Sequence, residues 1–68
     1  MFKFSDIKVG DILIADNANG SEYKVLETEI QGDAYYFHIE NLQSKVRSRI
    51  NVHEGNERNF GLAKIIHA

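Results

Sequence analysis

Two dipeptides, Asn19-Gly20 and Gly32-Asp33, cut the first half of the chain into lengths that suit strands better than long helices. Asn-Gly is the strongest two-residue hairpin signal, because both central residues of a type I′ turn need positive φ and these two residue types tolerate it. Gly32-Asp33 supplies a second tight turn. Strands are expected at residues 11–15, 22–31 and 34–40. In the second of these the apolar positions Tyr23 and Val25 change face at Leu26 before Ile30, which predicts a bulge or a sharp bend. The third, AYYFHIE, places Tyr35, Phe37 and Ile39 on one side and Tyr36, His38 and Glu40 on the other.

Residues 44–53, SKVRSRINVH, alternate almost perfectly. As a strand they put Lys45, Arg47, Arg49, Asn51 and His53 on one face over an apolar floor of Val46, Ile50 and Val52. The competing reading is a helix at about 40–51, since Ile39, Leu42, Val46 and Ile50 also fall at helical spacing. The β-branched residues and the two serines favour the strand. A polar loop, EGNERN, turns at Gly55-Asn56, and residues 60–67 make a closing strand. Five short strands with tight connections, and no proline, linker or repeat, fit a small all-β domain over residues 1–68, closed or half-closed into a barrel so that no edge stays open.

Val9-Gly10-Asp11 before a strand, a hairpin, Tyr23-Lys24-Val25-Leu26-Glu27, a long bent strand and a terminal Ala63-Lys64-Ile65 together resemble the SH3-like barrel modules, including KOW-type and Tudor-like domains. The resemblance covers most of the chain and rests on pattern. It implies a binding module for nucleic acid, ribosomal or polymerase partners or peptides, and no catalysis. In size and in its lack of cysteine and proline the chain is also similar to short proteins encoded by bacteriophages.

At 68 residues the chain buries only about 60% of the surface its unfolded form exposes, so its core is small. Small secreted domains offset thin cores with disulfides, and this one has no cysteine, which also excludes cysteine-based zinc sites and thiol chemistry. No stretch is apolar enough for a signal peptide or a membrane span, and a cytoplasmic protein is the simplest expectation. The sequon at Asn19 then carries no weight. A net charge of −2 hides a skew: residues 1–44 carry eight acids against three bases, and residues 45–68 five bases against two acids.

That skew yields two binding hypotheses. In the first, Lys45, Arg47, Arg49 and Arg58 contact phosphates, with Tyr36 and His38 as stacking or hydrogen-bonding groups; cations on one strand face repeat every ~6.6–7 Å, close to the spacing of nucleic-acid phosphates. In the second, an acidic face of Glu22, Glu27, Glu29 and Asp33 engages a protein, as in an inhibitor or an assembly subunit, with a homo-oligomer as a further option. The blander alternative for the basic strand is a solvated outer strand whose cations pair with Glu27, Glu29 or Glu40 or guard an edge. His38, His53 and His67 lack metal-ligand spacing, and a calcium loop fails because Ala15 and Leu26 fall where carboxylates are needed. No cofactor is expected. No nucleophile elbow, phosphate loop or dinucleotide fingerprint occurs, so an enzyme is not expected either.

Overall fold

The computed structural model describes residues 2–68. Five strands form one antiparallel sheet: β1 (Ile12–Ala15), β2 (Glu22–Gln31), β3 (Ala34–Asn41), β4 (Arg47–His53) and β5 (Leu62–Ile66). Their order across the sheet is β4-β3-β2-β1-β5. Strand number and the all-β class agree with the sequence. The barrel does not: β4 and β5 lie at opposite ends of the order and do not pair, so the sheet is open and the SH3-like reading is overturned.

What covers the apolar face accounts for the difference. Leu13, Val25, Phe37 and Ile39 project inward from β1, β2 and β3, and the segment before β1 lays Phe4 and Ile7 across them. Phe4 is 1% exposed and meets Phe60 edge-on at 5.3 Å between ring centroids. Tyr35 stacks beside Phe37. Each such burial contributes about 1.5–3 kcal/mol. A short 3₁₀ turn, Phe4–Asp6, sets this cover, and a second, Glu57–Asn59, holds it: Glu57 Oε2 accepts the Phe4 N–H at 3.1 Å. The face that closure would have shielded is shielded by the chain's own first residues.

The helix at about 40–51 is also absent, and among the described residues no helical stretch exceeds three residues. The segment 41–46 is a turn in which the Asn41 carboxamide oxygen accepts the Gln43 and Ser44 N–H groups, at 2.9 and 3.0 Å, and Lys45 takes a φ of 66°. Asn41 competes for its own downstream backbone, as short polar side chains do, and that ends β3 where a helix would have begun.

Two turns refine the reading. Gly32 has a φ of 63° and Asp33 does not go positive, the pattern of a type II′ hairpin turn. Asn19-Gly20 is not a type I′ turn, since Asn19 keeps its φ out of the positive region. Instead Asn17 Oδ1 accepts the Asn19 and Gly20 N–H groups, at 3.0 and 2.7 Å, and Gly20 alone turns left-handed. The expected bulge in β2 is present: Val25 faces Ile39 and Glu27 faces His38, leaving Leu26 as the extra residue.

Candidate functional site

Because directly paired residues share a face, the register builds the outward side of the sheet row by row. Lys24, Glu40 and Arg47 make one row; Glu27, His38 and Arg49 the next; Glu29, Tyr36 and Asn51 the third. The bulge at Leu26 makes this possible. Were the ladder to run regularly through Leu26, Val25 would stay inward but Glu27 and Glu29 would turn toward the core; with Leu26 bulged out of the ladder, both stay outward.

Within the rows opposite charges meet. Arg47 Nε lies 3.7 Å from Glu40 Oε1, and His38 Nδ1 lies 3.3 Å from Glu27 Oε2. The Arg49 guanidinium sits 4.8 Å above the Tyr36 ring, a cation–π contact. Each pair keeps at least one partner exposed to solvent, Arg47, Glu27 and Arg49 in turn, and so adds little stability; their effect is to set where charge lies. An open hollow of about 460 Å³ runs between Glu27, His38, Arg47 and Arg49. A second, of about 390 Å³, shares Glu27, His38 and Arg49 and extends to Glu29, Tyr36 and the 58%-exposed Val9.

Four of the six residues proposed for nucleic acid therefore come together: Arg47, Arg49, Tyr36 and His38. Lys45 does not join them, because it lies in the turn before β4. Arg58 does not either, being on the second 3₁₀ turn beside Phe2 and Leu62. The acidic set divides as well. Glu22, Glu27 and Glu29 share the outward face with the cations, whereas Asp33 is in the β2–β3 turn, 3.9 Å from His53 Nδ1. The two hypotheses thus fall on one surface, with an acidic flank on β2 and a basic flank on β4. Over all five strands that face holds four acids, Glu22, Glu27, Glu29 and Glu40, and four bases, Lys24, Arg47, Arg49 and Lys64.

A second polar cluster escaped the sequence reading. Asp11 is 2% exposed, and its carboxylate accepts the N–H groups of Lys8 and Ala68, at 2.8 and 3.0 Å, and contacts His67 Nδ1 at 3.0 Å. Burial pushes its pKa up, but the two amides and the imidazole outweigh that and hold it below the usual carboxylate value. The cluster ties the loop before β1 to the segment after β5. Its sequence signal is slight: an acid directly after a turn glycine, at the mouth of a strand.

Among the described residues no group of three or more histidines, aspartates or glutamates is placed to hold a metal ion. Nor is any helix there long and apolar enough to cross a membrane. Comparison of the chain with protein-family models, with curated proteins and with solved structures finds no match.

Proposed function

We propose that the chain is a non-catalytic binding module that engages a protein partner through the outward face of its sheet, working in the cytoplasm. The observation that carries this reading is the charge balance of that face, four acids against four bases, with three of the acids on β2 and two of the bases together on β4. Binding to nucleic acid draws its affinity from cations that displace counterions along a phosphate backbone. Here Arg47 has Glu40 directly opposite on the next strand, about 4.8 Å across the sheet and well inside the Debye length of about 8 Å at physiological salt, and Glu27 and Glu29 lie two strands from β4, at a distance comparable with that length. A phosphate chain laid on the cations meets the acids too. A protein surface that presents acid to β4 and base to β2 meets neither conflict, and paired flanks of opposite sign fix its orientation.

The test pairs two titrations. Labelled single- and double-stranded DNA and RNA, followed by fluorescence anisotropy at low and at physiological salt, are expected to show no binding that Arg47→Glu abolishes. A steep salt dependence lost in that variant would replace the protein reading with a nucleic-acid one. In parallel, proteins cross-linked to the wild type are compared with those cross-linked to Arg49→Glu and to Glu27→Lys. A partner retained by the wild type and lost by both variants is the expected result, since each reversal spoils one flank.

A further inference from the structure

β4 is an edge strand, and which of its backbone groups are free follows from the ladder. The Asn41 N–H bonds the Val46 carbonyl at 2.9 Å, and the Glu54 N–H bonds the Asp33 carbonyl at 2.8 Å, just beyond the two ends of the β3–β4 pairing. Hydrogen-bonded pairs alternate along an antiparallel ladder. Ser48, Ile50 and Val52 therefore bond to β3, and Arg47, Arg49 and Asn51 point their N–H and C=O groups to the open edge, as does the His53 N–H, while the His53 carbonyl accepts the Asn56 N–H at 3.1 Å. These same residues carry their side chains on the outward face. A strand added at this edge would meet free backbone groups and, on one side, two arginines.

We infer that the edge of β4 is a docking site for an extended acidic segment of a partner protein, which adds as a sixth strand and sets its carboxylates beside Arg47 and Arg49. The inference rests on the outward-face reading above and names the part of the partner that makes first contact. Three features support it. β4 pairs with β3 over seven residues without a bulge, so its edge is regular and long enough to template another strand. On the other side of the strand Ile50 and Val52 are only half-buried and pack on the rim of the core, so apolar residues at alternate positions of an added strand would lengthen that core. And β4 contains no acid, so pairing with β4 of a second copy sets its arginines beside arginines or neutral residues of that strand and brings them no new carboxylate from it. β5, the opposite edge, is a poorer template: it has five residues, and its pairing with β1 shifts register between Ile14 and Ala15.

The probe is a capped seven-residue peptide alternating Glu and Val, matched to β4 in length, with a version N-methylated at alternate amides as control. Amide hydrogen exchange is read by NMR. Binding at about 1 mM or tighter is expected to slow exchange at Arg47, Arg49, Asn51 and His53 and to leave Ser48, Ile50 and Val52 as they were. The N-methylated peptide should not bind, and Arg49→Glu should weaken the parent peptide about fivefold. Equal binding of both peptides, or binding without protection of the four edge amides, would overturn strand addition. So would failure to bind, or a β4-mediated dimer in sedimentation. In each of those cases a partner cross-linked through both charge flanks would leave the outward-face reading standing, so the two can fail separately.

Discussion

Asp11 joins the loop before β1 to the segment after β5 through one buried carboxylate. Its carboxylate satisfies two backbone N–H groups, from Lys8 and Ala68, that have no strand partner, and its own backbone continues the β1–β2 ladder through Val25. Hydrogen bonds to a charged group are each worth about 1.5–3 kcal/mol, so Asp11→Ala is expected to lose at least about 2 kcal/mol in urea unfolding at neutral pH. The pH dependence has a definite sign. The folded-state pKa lies below the unfolded one, so the stabilisation is full above the unfolded value and is lost as pH falls through the folded value. Wild type should weaken on acidification below the usual carboxylate range, and Asp11→Asn should weaken less over the same interval. Equal acid sensitivity in the two proteins would show that Asp11 is not the group responsible.

At the scale of the element, β2 shows what the sequence makes legible. The change of face at Leu26 is visible in the order of apolar residues because a strand's period is two and one extra residue inverts everything after it. The hairpins were legible from their glycines. The start of β4 was not: alternation runs unbroken from Lys45 to His53, yet Lys45 belongs to a turn organised by the Asn41 side chain, and no periodicity reports a side chain bonding its neighbours' backbone. Of the three cations on the expected strand face, Lys45 alone therefore falls outside the strand. The bulge also makes a prediction that separates two deletions. Removing Leu26 leaves a regular ladder with Glu27 and Glu29 still outward and Ile30 still facing Tyr35. Removing Glu29 forces the bulge out and turns Glu27 toward Phe37, burying a carboxylate beside an aromatic ring. The midpoint of urea unfolding should fall much further for the second deletion than for the first; similar midpoints would mean that the bulge has no part in setting the register.

For the whole molecule, alternation decided that the chain is a five-stranded sheet but not whether the sheet closes. Closure depends on how far the strands coil and on what lies over the apolar face, and here Phe4 and Phe60 lie over it. Phe4 lies outside any alternating stretch; only its position against Tyr35 and Phe37 of β3 shows it as a core residue. The strand order has one further consequence, in time rather than in space. β2, β3 and β4 are joined to their neighbours by tight turns, whereas β1 finds β5 across nearly the full length of the chain. Pairings between distant segments carry a larger loop-closure cost, so the three-stranded meander is expected to form in the folding transition state and β5 to dock afterwards. In stopped-flow experiments Gly32→Val, which strains the β2–β3 turn, should chiefly slow folding, and Ile65→Ala should chiefly speed unfolding. A folding rate lowered by Ile65→Ala in proportion to the stability lost would mean that the ends of the chain meet first, and that the nucleus spans the molecule instead of growing from its centre.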